Sequence, residues 1–508
     1  MSILGIDVGT TGCKSAVFSR DGFMLAIAYE EYNHKHVKPG WAELDSVEVW
    51  NDVKKTITHV VSSQRAGTIE ALAVTSLGEA VVPVSAHRKI LGPSILNYCK
   101  RGEEYFEELK KAISPEELYA ISGSRLGTLF GMLKIMWIRD HQPDLYKNTN
   151  YLLPWTSFIS FMLGAEPVVD YSLANRTLLF DINQEDWSDT LLSISGLDKE
   201  KLPNTAQAGT KIGSVSNQAA SETGLLSGTP IIIGAHDQCT NAVGCGAIEI
   251  GQAMLGLGTF PCATPVFQEP YDPKMVIPLG VNTEHHAVPN RFVSLVYNQG
   301  GSVIKWYRDS FAALEHKIAK ESGVDIYEKL FAEMPEKPAR TIMLPYYSTT
   351  GLPDLTTETS GVMTGLRLST DRGEILKGII ESIVFDLRVT FDALDKQGIN
   401  ISQLITVGGG SKSDAWIQVV CDILNRPAMR PKTIESGALG AAIIAGVGSG
   451  IFPDYGGGVQ AMVKEDVVFM PNATKNEAYN LRFNRFLELK ELLREYLAEL
   501  SRDTFITE

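Results

Sequence analysis

Hydrophobic positions near the start of the chain come in short runs separated by turn residues. Residues 3–7 are apolar and end on Asp7, Val8-Gly9-Thr10-Thr11-Gly12 follows, and a second apolar run covers 15–18. Asp21-Gly22 then precedes another run over 24–29. Apolar runs of this length bounded by Gly, Thr and Asp predict strands joined as hairpins. Halfway along, the pattern returns. The stretch from Gly9 to Phe18 and the stretch from Gly258 to Phe267 share five identities in ten columns. A match this short also arises by chance. Read as a repeat, it predicts two domains on one plan, each offering a Gly-Thr turn to a cleft between them, where ligands commonly sit.

The first copy carries Asp7 where the second, in Leu255-Gly256-Leu257, has no acid. An acid beside a phosphate-binding turn repels the anion but can hold Mg²⁺ through water. Asp7 is therefore expected on the metal side, with the second turn binding phosphate alone. A third glycine cluster, Gly408-Gly409-Gly410, follows an apolar run and precedes a helical pattern from Asp414. Strand, glycines and helix start let backbone approach an anionic ligand closely, although a Gly triplet alone also fits a plain loop.

Further elements follow from spacing. Residues 230–235 read as a buried strand ending at His236-Asp237-Gln238. The apolar positions Leu376, Ile380, Ile383, Leu387, Phe391 and Leu394 predict a helix over 374–394. Residues 437–446 read as a small-residue helix packed closely on a sheet, and 476–502 as an amphipathic terminal helix. Strands and helices alternate, so the class is α/β. The boundary is expected near 245–250.

Composition narrows the partners. At 508 residues the chain is long enough for two large domains, and 44% hydrophobic against 21% charged residues is a globular balance. A net charge of −14 disfavours nucleic acid, whose phosphates must be met by Lys and Arg clusters, but leaves room for a single nucleotide held by backbone turns. The first eight residues lack a basic start, and the apolar 438–452 stretch is too short to span a bilayer. A cytoplasmic location with no membrane partner is expected. The six cysteines lack paired spacings and are expected as reduced, buried thiols. His34-Lys35-His36 and His285-His286 each lack a nearby third ligand and are expected in loops or as satisfied histidines, not at a metal.

Several motifs together resemble the FGGY family of carbohydrate kinases. They are Asp7-Val8-Gly9-Thr10-Thr11, Gly234-Ala235-His236-Asp237-Gln238, Gly256-Leu257-Gly258-Thr259, Gln299-Gly300-Gly301-Ser302 and Gly408-Gly409-Gly410-Ser411-Lys412-Ser413. Glu435-Ser436-Gly437-Ala438-Leu439-Gly440 completes the set. Both family signatures are recognisable, one around Lys134 to His141 and one from Gly361 to Glu381. Gly131 stands in place of the usual Pro, Ser or Thr, and Gly378 in place of Ala or Ser. The resemblance implies two ribonuclease H-like domains of the actin-like ATPase fold, with mixed five-stranded sheets flanked by helices and a cleft between them. The domains would be 1–246, binding sugar and carrying the base, and 247–508, binding nucleotide. It implies a kinase that transfers the γ-phosphoryl of MgATP to a hydroxyl of a small sugar, with ATP and Mg²⁺ as cofactors; family members often form homodimers.

Residue by residue, the resemblance makes Asp237 the base that takes the proton of the accepting hydroxyl, a step an alcohol needs before it attacks. The same position also fits an acid capping the next helix. Thr10, Thr11, Gly258 and Thr259 match the phosphate turns and Asp7 the magnesium-side residue. Gly409, Gly410 and Ser413 match the adenosine cradle. Gly301 and Lys305 flank the nucleotide, with Lys305 either on a phosphate or solvated. On the acceptor side, xylulokinases carry Met-His and glycerol kinases Arg-Glu where this chain has Gly78-Glu79. The family's Trp-x-Asp-x-Arg pattern is reduced to Arg101, and Thr156 stands near where an Asp is common. His236 would tune the base, touch the sugar or pack, with Gln238 beside it. The 170–177 stretch is given no chemistry. A ketopentose such as xylulose is the first expected acceptor, with a glycerol- or erythritol-type polyol, another ketose or an aldonate as alternatives. A non-catalytic regulator on the same fold is the remote one.

Overall fold

The computed structural model describes residues 1–347, 350, 352, 356–433 and 435–502. In the first half the sheet strands are β1 Ser2–Val8, β2 Gly12–Phe18, β3 Met24–Glu31, β4 Ile69–Ser76, β5 Lys211–Ser214 and β6 Pro230–His236. In the second they are β7 Gln252–Gly256, β8 Cys262–Phe267, β9 Glu284–His285, β10 Phe292–Val293, β11 Val296–Tyr297, β12 Gln403–Val407, β13 Ala428–Pro431 and β14 Glu465–Phe469. The helices that matter to the site are α1 Ser46–Val61, α2 Gly131–His141, α3 Trp155–Leu163, α4 Tyr171–Asn175, α5 Asp237–Cys245 and α6 Gly301–Phe311. They continue with α7 Arg372–Lys396, α8 Asp414–Leu424, α9 Ser436–Gly448, α10 Tyr455–Met462 and α11 Ala473–Arg502.

The repeated hairpin has a repeated topology. β1 pairs antiparallel with β2 and parallel with β4, which pairs parallel with β6. β7 pairs antiparallel with β8 and parallel with β12, which pairs parallel with β13. The sheets are larger than the expected five strands. The first has six, in the order β5-β6-β4-β1-β2-β3, because β5 adds an antiparallel edge to β6. The second has eight, because β14 extends it beyond β13 and β8 divides its outer edge between β10 and β11, with β9 beyond β10.

Strand alternation sorts the first sheet into two faces. Leu4, Ile6, Val8, Leu72, Val74, Ile231 and Ile233 belong to the core that also holds Val53 and Ile57 of α1 and Phe158 and Ile159 of α3. The other face presents Ile3, Ala16, Ala71, Ala73, Ile232 and Ala235, and it packs against α9 and α10. These small residues let α9 lie very close, as the 437–446 pattern predicts. The helix comes from the second half, however, so packing crosses the expected boundary at 246 and 247. In exchange, α5 from the first half supplies Ala242 and Cys245 to a cluster with Met254, Ile405, Val407 and Met429 of the second sheet. The two exchanged helices cross through glycines. A Cβ on Gly244 would stand 1.9 Å from the Ser436 carbonyl, and one on Gly440 2.0 Å from that of Thr240.

All six cysteines are buried and free. No helix among the described residues is long and apolar enough to cross a membrane.

Candidate active site

Each Gly-Thr turn is built so that its carbonyls are used up locally. In the first, Gly9 N–H donates to Gly12 O at 2.9 Å, the Tyr32 hydroxyl to Gly9 O at 2.6 Å, and His34 Nε2 to Thr10 O at 2.7 Å. In the second, Gly301 and Ser302 at the start of α6 donate their N–H groups to the carbonyls of Gly258 and Thr259, at 3.1 and 3.0 Å. Turns whose carbonyls point into the fold leave their amides for an anion.

Gly258, Thr259, Gly301, Lys305, Gly409, Gly410 and Ser413 all line one cavity of about 750 Å³. Ile304, Tyr327, Phe331 and Trp416 give it apolar and aromatic walls, the chemistry a planar base needs beside a polar phosphate end. Ser413 also caps α8, accepting from Trp416 N–H at 3.2 Å. The site joins the second hairpin, the α6 start and the glycine cluster, three stretches far apart in sequence.

Between the halves lie two carboxylates. Asp7, at the end of β1, faces the first turn of α9, where a Cβ on Gly437 would come within 2.5 Å of its Oδ2. Burial, Asp237 and Glu435 push its pKa up to about 7, against the pull of Lys14. Lys14, opposite Asp7 on β2, is ion-paired with Glu435 of the second half. So acidic a corner fits a divalent cation. Asp237 is the first residue of α5, but the helix's N-cap position belongs to His236. Its carboxylate is therefore not the capping acid that its position also suggested. It accepts from Gln238 Nε2 at 3.2 Å and lies 3.3 Å from His236 Nε2, with its side chain 27% exposed to the cleft.

Beneath Asp237 is a buried charged cluster. Arg176 is ion-paired with Glu79, and its Nη1 donates to Glu284 Oε1 at 2.5 Å; Glu284 Oε2 faces His236 Nδ1 at 3.4 Å. Burial disfavours the Arg176 charge, but Glu284 and Glu79 outweigh it and hold its pKa above the ordinary value. Burial likewise works against a charged His236, and Asp237 and Glu284 outweigh it upward. Asn97 Nδ2 donates to the other Glu79 oxygen at 3.1 Å. Glu79 is thus partnered on both oxygens. Gly78 leaves little room beside it: a Cβ there would stand 3.0 Å from His236 Nε2 and 3.2 Å from Arg176 Cγ. The signature departure at Gly131 has the same origin: a Cβ would stand 2.7 Å from the Glu79 carbonyl.

Arg101, expected on the substrate, is not brought into this cluster. Its Nη1 pairs with Glu43 at 2.9 Å, its Nε and Nη2 are held by Cys99 Sγ and Ala42 O, and its guanidinium lies over Trp41 and Trp137. It shapes the loop that carries Asn97. Thr156 hydrogen-bonds Ser76. His285 and His286 are buried, and burial lowers each to about 4; both His286 ring nitrogens are hydrogen-bonded, whereas His285 Nε2 has no hydrogen-bond partner among the described residues. His34, by contrast, supports the first turn and accepts from the Tyr98 hydroxyl at 2.5 Å.

Sequence reasoning missed Arg176, Glu284, Asn97, Lys14 and the turn contact of His34. Arg176 lies in the stretch given no chemistry. The available signals were a charged residue set in the apolar 173–180 run and an acid opening the His285-His286 pair.

Comparison with known proteins gives the family. Residues 2–244 match the model of the FGGY family of carbohydrate kinases, N-terminal domain, and residues 253–449 that of the C-terminal domain. The autoinducer-2 kinase of Klebsiella pneumoniae is 27% identical over 493 residues, covering 94% of this chain and 91% of its own length. Among solved structures, the xylulose kinase from Rhodospirillum rubrum shares the fold with a TM-score of 0.87 at 24% identity, covering 98% of this chain and 100% of that one. Plasmodium falciparum glycerol kinase with ADP does so with a TM-score of 0.84 at 20% identity over 96% and 97%. With both domain models matched in order along most of its length, the chain belongs to the FGGY family of carbohydrate kinases, phosphotransferases that move a phosphoryl group from ATP to a sugar hydroxyl.

Proposed function

We propose that the acceptor is a small uncharged polyhydroxy compound, a ketose such as xylulose or an open-chain polyol, and that Asp237 takes the proton of the hydroxyl that is phosphorylated. The observation that carries this reading is the partly exposed Asp237 carboxylate at the start of α5, which does not cap that helix and is held by Gln238 and His236 beside the charged cluster. Thr10 and Thr11 from one half, with Gly258 and Thr259 from the other, would hold the phosphates. Gly409, Gly410 and Ser413 would hold the adenosine, with Gly301 and Lys305 alongside. Mg²⁺, when bound, would neutralise phosphate charge, and Asp7 would hold it with Glu435 and Lys14 nearby. Closure of the halves would exclude water, so that the phosphoryl group goes to the acceptor and not to hydrolysis.

Glu79, Asn97 and His236 offer donors and acceptors suited to several hydroxyls, each of which offsets part of the cost of burying these groups. An aldonate fits less well. Arg176 already faces two carboxylates, so a third from the ligand would meet net negative charge. The autoinducer-2 kinases add their own named acceptor to the candidates.

The test is acceptor-dependent ADP release over ketopentoses, polyols, aldonates and autoinducer-2. Turnover with a neutral acceptor, abolished by EDTA and restored by Mg²⁺, is expected. A folded protein that turns over none of them, or aldonates alone, contradicts the reading.

A further inference from the structure

The charged cluster beneath Asp237 draws on both halves of the chain. Glu79 follows β4, Arg176 follows α4 and His236 ends β6, whereas Glu284 comes from β9, at the edge of the second sheet. Glu284 is fully buried, and among the described residues its two oxygens face Arg176 Nη1 at 2.5 Å and His236 Nδ1 at 3.4 Å. Each partner in turn touches a carboxylate on the acceptor side, Arg176 reaching Glu79 and His236 Nε2 lying 3.3 Å from Asp237 Oδ1. A buried carboxylate persists only when paired, and this one is paired with the two groups that orient the acceptor site.

Two features show that the arrangement is held under constraint. Glu79 has a φ of 63°, a left-handed conformation that a residue with a side chain keeps only where its surroundings enforce it. Arg176 and Asn97, one on each carboxylate oxygen, provide that enforcement. Also, His236 Nδ1 and Glu284 Oε2 are both buried, have no well-aligned hydrogen bond among the described residues, and face each other. Neighbouring Cys239 does not compete for them, because its thiol is directed to the His285 carbonyl. Contacts of this length often tighten only when the substrate complex closes.

We propose that Glu284 is a positioning residue: through Arg176 and His236 it fixes the orientation of Glu79 and Asp237, so that the second half of the chain sets the geometry of the acceptor site in the first. This rests on the kinase reading of Asp237. Domain closure and acceptor alignment become coupled, since movement of β9 is carried to both carboxylates.

The experiment compares Glu284→Gln, His236→Asn and the double variant in the full-length chain, using the acceptor with the highest wild-type turnover. Glu284→Gln keeps size and removes charge. The expected result is a fall in kcat of about 10–100-fold with the KM for ATP held within about twofold. The double variant should lose no more than the worse single variant, because both act along one chain of contacts. A Glu284→Gln enzyme with wild-type kcat and only a lowered Tm makes Glu284 a packing residue and overturns the proposal. So do losses that multiply in the double variant. If Glu284→Gln does not fold, a His236→Asn enzyme with unchanged kcat overturns it equally. Failure of the kinase reading would look different, as a wild type with no acceptor-dependent ADP release. The pairing is then read from the His236 imidazole resonances, which shift between wild type and Glu284→Gln if the contact exists and coincide if it does not.

Discussion

At Gly78 a missing side chain makes room for the charged cluster beneath Asp237. A Cβ there would crowd Arg176 and His236. Gly78→Ala should therefore push on both and raise the acceptor KM severalfold while leaving the KM for ATP unchanged, with a stability loss of about 1 kcal/mol from overpacking. Steady-state kinetics with each substrate varied in turn checks this, and equal effects on both KM values would contradict it. Legibility in the sequence divides along the same line. Residues carried by short motifs, such as Asp7, Asp237 and the two Gly-Thr turns, can be singled out because the chemistry and its backbone setting are adjacent in the chain. Arg176 and Glu284 cannot, because each is an isolated charge whose partners lie between about fifty and about a hundred residues away, and only folding brings them together. Arg101 is the opposite case. It keeps a motif position, but in a loop whose other motif residues have changed, and Glu43 and two tryptophans hold it.

The crossing of α5 and α9 is set by backbone contact. Gly440→Ala would place a methyl group 2.0 Å from the Thr240 carbonyl, so the helices must separate. A loss of about 1–3 kcal/mol is expected in urea unfolding, with the effect concentrated at the waist between the halves; an unchanged midpoint would mean that the crossing is looser than described. The long helix α7 carries a second device. Glu381 is buried, receives the Ala339 N–H and the Tyr479 hydroxyl of α11, and is pushed by burial from 4.5 up to about 7. Between those values the folded chain holds a proton that the unfolded chain has released. This contribution to stability is therefore full below the unfolded pKa and is lost as pH rises through the folded one. Glu381→Gln should accordingly gain on the wild type between about pH 5 and about pH 8, by on the order of 1–3 °C in relative Tm. A Tm difference that stays constant across that range would contradict the shift. The 374–394 helix was predictable from its apolar spacing, whereas an acid buried in its interior runs against that pattern and becomes intelligible only with α11 packed on it.

For the molecule as a whole, the repeated hairpin carried most of the information about architecture. Two β1-β2-type hairpins, each followed by a parallel strand, were foreshadowed by ten residues of similarity, because a tight Gly-Thr turn restricts which residues can occupy it. The exchange of α5 and α9 between the halves was hidden, since small residues announce close packing without naming the sheet that receives it. The outer strands that enlarge both sheets were hidden too, being only two to five residues long in most cases. The second half holds the cavity proposed for the nucleotide, and both halves contribute to the buried charged cluster that Asp237 adjoins through His236. The most direct measurement of that account is transfer of labelled γ-phosphoryl from ATP to the acceptor by wild type and Asp237→Asn, with acceptor affinity determined alongside. The account predicts a loss of transfer of about 10²–10⁴-fold in the variant with the acceptor still bound. Transfer at the wild-type rate would contradict it.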